Sequence, residues 1–138
     1  MKFLHTMIRV LEPEKTVNFF SILGLKVIKK IDNQEYRFSL IFMATNEGEP
    51  EIELTHNWDE TEPYTTGRNF GHLAFETNDI YKKCTELQNK GVIILRPPRD
   101  GKMAFIKSPD GISVELLQKG EPLEKKEPWL SMENKGSW

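Results

Sequence analysis

Two histidines and two glutamates recur in the same order along this chain, and residues of these types could together hold a divalent metal ion. His5 lies in FLHTMIRV and Glu53 in EIELT, then His72 in GHLAF and Glu115 in SVELLQ. Each half supplies one imidazole near its start and one carboxylate near its end, 48 positions apart in the first half and 43 in the second. Imidazole and carboxylate donors accept several first-row ions, and an ion so held polarises substrate oxygens as a Lewis acid. Each residue alone has a plainer reading. A single strand histidine is commonly a hydrogen-bonded core or interface residue, and a strand glutamate commonly faces water. Glu115 resists that reading, because Val114, Leu116 and Leu117 beside it imply burial. An ionised carboxylate there needs a cation or strong donors.

Strand alternation adds residues to the group, since side chains two apart share a face. His5, Met7 and Arg9 fall on one side of the first strand. Glu51, Glu53, Thr55 and Asn57 fall on one side of another, which puts His56 on the opposite side and removes it as a ligand. Arg9 lies about 13 Å from His5 at roughly 3.3 Å per residue, and Asn57 has the same offset from Glu53. A metal at one end of such a groove and an Arg/Asn pair at the other would suit an extended anionic ligand. Arg9 and Arg68 read by default as surface cations, and as planar carboxylate clamps if a metal-bound substrate lies near them. Cys84, on the apolar side of a helix with no basic neighbour, reads as core rather than nucleophile. No glycine-rich phosphate loop, Cys-x-x-Cys pair or nucleophile elbow is present.

The elements that must position these residues repeat as well. A strand over Phe3 to Val10 is followed by a helix from Pro13 through Val17, Phe20 and Leu23 to Gly24, and then by strands at Leu25 to Ile31, Tyr36 to Ala44 and Glu51 to Asn57. The order restarts at Gly71 with GHLAFE. A helix capped by Asn78 runs to Gly91 with Ile80, Cys84 and Leu87 at core spacing, and strands follow at Val92 to Leu95, Lys102 to Lys107 and Ile112 to Gln118. The expected organisation is a first βαβββ module over residues 1–57, a polar linker over 58–69, a second βαβββ module over 70–118 and a charged tail over 119–138. Pro122 and Pro128 give the tail the composition of a weakly ordered extension, whereas Trp129 and Trp138 point to docking on the body or on a partner subunit.

Composition excludes other classes of partner. A formal net charge of −2, with both signs interspersed, does not suggest nucleic acid or an anionic membrane. One cysteine cannot form an internal disulfide, and no apolar run approaches the roughly 20 residues of a membrane span. No secretory leader pattern is visible, so the expected compartment is the cytoplasm.

At these motifs the chain resembles the glyoxalase I family, the lactoylglutathione lyases of the vicinal oxygen chelate superfamily, over about Lys2 to Gln118. The segments that carry the resemblance are LHTMIRV, IELTHNW, RNFGHLAF and MAFIKSPDG followed by VELL. It implies an α+β fold of tandem βαβββ modules, whose mixed sheets form a cleft completed by dimerisation. It also implies metal ligation by His5, Glu53, His72 and Glu115, with Arg9 and Asn57 on the γ-glutamyl end of glutathione and Arg68 near its glycyl carboxylate. The implied enzyme is a homodimer with interface sites. Histidine at the first ligand position is common in the short bacterial type, which tends to prefer nickel or cobalt over zinc.

The implied reaction turns the hemithioacetal of methylglyoxal and glutathione into S-lactoylglutathione by proton transfer through an enediolate. Glu115 is the principal base, Glu53 its partner, and Met7 lines the pocket for the methyl group. One departure concerns the family's lysine before the strand matching Met103 to Lys107. Here the segment is PPRDGKMAF, with Lys102 or Arg99 as the substitute. The competing readings are an acyl-CoA epimerase, in which glutamine would more typically stand at Glu53, an extradiol dioxygenase, which needs one carboxylate fewer, and a metal-free binding protein.

Overall fold

In a computed structural model describing residues 1–138, the chain forms two units, residues 1–65 and 66–138. The first unit contains β1 (His5–Arg9), α1 (Pro13–Ile22), β2 (Lys26–Asn33), β3 (Phe38–Ala44) and β4 (Glu51–Asn57). Its sheet runs β1-β4-β3-β2, with β1 parallel to β4 and the other pairs antiparallel. Alternation works as the sequence suggests. Ile8, Ile52, Leu54, Ile41 and Met43 are buried, whereas His5, Met7 and Arg9 remain exposed.

Pro13 opens α1, where its missing N–H costs no helical hydrogen bond. The helix buries Thr16, Phe19, Phe20 and Ile22, a stripe rotated from the expected one, since Val17 and Leu23 are only half-buried. It stops before Gly24, whose φ of +100° is open to glycine and strained for other residues. The β2–β3 turn is closed by Asn33, whose side-chain oxygen accepts from the Tyr36 amide at 2.8 Å. Trp58 and Asp59, expected in a linker, are fastened to this unit. The Trp58 indole donates to Ser39 Oγ at 2.8 Å, and Asp59 accepts two bonds from Arg37 at 2.6 and 2.7 Å.

The second unit contains β5 (Leu73–Thr77), α2 (Ile80–Asn89), β6 (Met103–Lys107) and β7 (Ser113–Gln118), with sheet order β5-β7-β6. Again the outer pair β5–β7 is parallel and β6–β7 antiparallel. The N-cap of α2 is Asp79 rather than Asn78: its carboxylate accepts from the Lys82 amide at 2.9 Å. Asn78 instead gives its carbonyl to Gln118, and the side-chain oxygen of the same Gln118 accepts from the Ile80 amide. One buried amide therefore joins the end of β7 to the start of α2.

The strand expected over 92–95 reduces to one bridge between Arg96 and Phe105. Pro97 and Pro98 follow at once, and residues without an N–H cannot extend a ladder. The 119–138 segment is docked, contrary to its extension-like composition. The Leu123 amide donates to the Gly101 carbonyl, an approach that a Cβ on Gly101 would block by overlapping the Leu123 backbone. Trp129 is buried and stacks on Tyr81. Arg99 donates to the Met132 carbonyl and to Asn134, and the Lys135 amide donates to the Leu95 carbonyl. Both units are thus α+β with mixed sheets, and no helix is long and apolar enough to cross a membrane.

Candidate functional site

The parallel pairing of β1 with β4 sets His5 opposite Glu51 and Met7 opposite Glu53, so His5 and Glu53 are diagonal neighbours on one face. Their Nε2 and Oε2 atoms lie 2.9 Å apart. The Glu53 side chain is only 13% exposed against 38% for His5, so the carboxylate forms the floor and the imidazole the rim. Phe42 stands directly opposite Glu53 on β3, and its ring meets the His5 ring edge-on at 5.9 Å. Thr55 Oγ1 donates to the other oxygen of Glu53 at 3.4 Å.

The second unit repeats the histidine, glutamate and phenylalanine of this arrangement. Ala74 of β5 lies opposite Glu115 of β7, and His72 precedes Ala74 by two positions, as His5 precedes Met7. His72 Nε2 and Glu115 Oε2 are 3.1 Å apart, and Glu115 is 15% exposed against 42% for His72. Phe105 stands opposite Glu115 on β6, and its ring meets the His72 ring edge-on at 5.4 Å. The two units therefore share a register offset, a half-buried carboxylate, an exposed imidazole and an aromatic support.

These donors fit a divalent ion. Adjacent ligands at bond lengths of about 2.1 Å in an octahedral shell stand about 3.0 Å apart, which is the separation found in both pairs. Each pair offers one nitrogen donor and one oxygen donor. No group of three or more His, Cys, Asp or Glu side chains placed to hold a metal ion is present, so each unit offers two such donors and no more.

The remaining candidates divide by unit. Arg9 and Met7 share the face of His5, and Asn57 Nδ2 donates to the Tyr64 hydroxyl at 3.4 Å. Arg68 is exposed in the turn before His72. Lys102 is engaged elsewhere, its ammonium donating to the Gln118 and Gly120 carbonyls, and Arg99 holds the 119–138 segment. His56 lies on the opposite face of its sheet with Pro13 and Val17, as alternation requires. Cys84 is fully buried, and burial pushes its thiol up to about 12. Sequence reasoning missed Phe42 and Phe105, because their relation to the glutamates depends on strand register, whereas alternation had already set Thr55 on the face of Glu53.

A family model described as the Glyoxalase/Bleomycin resistance protein/Dioxygenase superfamily matches residues 2–116. A Neisseria meningitidis serogroup A protein named lactoylglutathione lyase is 39% identical over 127 residues, covering 86% of this chain and 91% of that one. A probable lactoylglutathione lyase of Synechocystis is 39% identical over 126 residues, covering 86% and 95%. Among solved structures, the trypanothione-dependent glyoxalase I of Leishmania major is similar with a TM-score of 0.81 at 32% identity, covering 86% of this chain and 87% of that one.

Proposed function

Because the chain belongs to the glyoxalase/bleomycin resistance protein/dioxygenase superfamily, we propose that it isomerises the hemithioacetal of methylglyoxal and glutathione to S-lactoylglutathione. The observation that carries this reading is the matched pair of half-sites, His5 with Glu53 and His72 with Glu115. These four residues would hold one divalent ion, with nickel or cobalt favoured and zinc acceptable to the same donors. When bound, the ion supplies Lewis-acid stabilisation of negative charge developing on two adjacent substrate oxygens.

The chain's own residues supply the rest. Glu115 takes the proton from the carbon bearing sulfur and returns it to the neighbouring carbon, while the hydroxyl proton passes from the oxygen on the first carbon to the oxygen on the second, and Glu53 is its partner carboxylate. The contact of Glu115 Oε2 with His72 leaves its second oxygen for the transfer. Low exposure keeps both carboxylates shielded from bulk water, where a proton in transit would be lost. Arg9 and Asn57 hold the γ-glutamyl end of the thiol, Arg68 pairs with its glycyl carboxylate, and Met7 lines the space for the methyl group. Lys102 joins this set only by releasing the two carbonyls it now holds.

The family resemblance supports a homodimer with interface sites, each taking two ligands from either chain, and two half-sites of two ligands each are compatible with it. A cytoplasmic location accords with a single, buried thiol and a thiol co-substrate. The trypanothione dependence of the Leishmania relative makes the thiol a variable worth testing. The test follows thioester formation from methylglyoxal with glutathione or trypanothione, in chain loaded with each ion in turn. Thioester formation with glutathione is expected, and none with any bound ion would turn the reading towards an acyl-CoA epimerase.

A further inference from the structure

The two half-sites match in ligands and differ in what covers their phenylalanines. Over Phe42 sits the Lys29 ammonium, 4.2 Å from the ring centroid, whereas against Phe105 the Trp138 indole stacks at 5.6 Å and 21°. Resting on the function proposed above, we propose that Trp138 is a specificity-determining residue: it walls a cavity beside His72 and favours substrates whose oxoaldehyde part carries a flat aromatic group.

The cavity holds ≈ 470 Å³ and is lined by His72, Phe105, Phe70, Lys107, Ser113 and Trp138, among others, a size within the range of small-molecule sites. Lys107 lies opposite Ser113 and Phe105 opposite Glu115, so all four share the face of the proposed base. Trp138 stacks on Phe105 yet stays 42% exposed, which leaves much of the indole open to a guest.

The cavity wall also contains the buried hydroxyl of Ser113, which has no hydrogen-bond partner in the chain. A hemithioacetal combines oxygens with one apolar substituent, and the cavity offers polar atoms and an aromatic wall side by side. The position of Trp138 is fixed by the docking of the 119–138 segment at Gly101, Tyr81, Arg99 and Leu95.

The test measures kcat/KM for the glutathione adducts of phenylglyoxal and methylglyoxal in the full chain, Trp138→Ala and Trp138→Phe, all loaded with the same ion. The phenylglyoxal-to-methylglyoxal ratio is expected to fall about three- to tenfold in Trp138→Ala and to recover largely in Trp138→Phe. An unchanged ratio, including equal loss on both substrates, overturns the proposal. Calorimetry on the metal-free proteins compares S-benzylglutathione with S-methylglutathione, where a benzyl preference lost in Trp138→Ala is expected and one that survives overturns the proposal. If the full chain makes no thioester from either adduct, the function proposed above fails. The calorimetry then decides alone on Trp138, and absence of any benzyl preference in the full chain overturns it.

Discussion

Glu115 has two duties in the proposed reaction, metal ligand and base, and its surroundings suit both. Val114 and Leu116 are buried on either side, while the carboxylate itself reaches the face shared with Ser113 and Phe105. Glu115→Gln keeps the size and the hydrogen-bonding capacity but cannot accept the proton. Turnover in the metal-loaded variant should fall about 10²- to 10⁴-fold with an unchanged thermal midpoint, and near-normal turnover would remove the residue from its role.

Cys84 shows the opposite case, a reactive group silenced by packing. An unfolded thiol ionises near pH ~8.5, whereas burial pushes this one up to about 12 in the folded chain. Between those values the unfolded chain releases its proton first, so the thiol's contribution to stability is full below the lower pKa and is lost as pH rises towards the upper one. Native chain at pH ~8 should therefore react with a thiol reagent far more slowly than denatured chain. Equal rates would show that Cys84 is not held in the core.

At the scale of elements, face was legible in the sequence and register was not. Alternation alone put His5 with Arg9, put Glu53 with Asn57 and set His56 on the opposite face, and the strands obey it. The diagonal placement of His5 against Glu53 needed the knowledge that β1 pairs with β4 in parallel, starting at His5 and Glu51. The supporting roles of Phe42 and Phe105 were hidden for the same reason. The apolar run Val92 to Leu95 read as a strand until the prolines behind it stopped the ladder, and Asn78 read as a cap because either Asn78 or Asp79 satisfies the preference.

Gln118 carries a prediction at this scale. Its buried amide serves the Ile80 amide, the Asn78 carbonyl and the Lys119 carbonyl. Gln118→Ala leaves these groups without their partner and should cost about 2 kcal/mol or more, while Asp79→Ala, which loses one cap, should cost about 1 kcal/mol. Urea denaturation of both variants checks the order. A smaller loss for Gln118→Ala would deny it the joining role.

For the whole molecule, the two units carry one arrangement twice, a histidine beside a glutamate with a phenylalanine against the imidazole. Each presents one nitrogen and one oxygen donor at the spacing of neighbouring metal ligands. The resemblance to the glyoxalase I family was legible from four short segments, and the curated relatives agree with it. The docking of the 119–138 segment was not legible, because its prolines and charges outweigh two indoles in composition although Trp129 is almost wholly buried once folded.

The central claim, that both pairs serve one ion, is tested most directly by titrating metal-free chain with nickel in a calorimeter while following thioester formation from methylglyoxal and glutathione. The predicted result is one ion per chain, with activity rising in step to that equivalence, and loss of stoichiometric binding in both His5→Ala and His72→Ala. Two ions per chain, or undiminished thioester formation in chelator-treated protein, would contradict it.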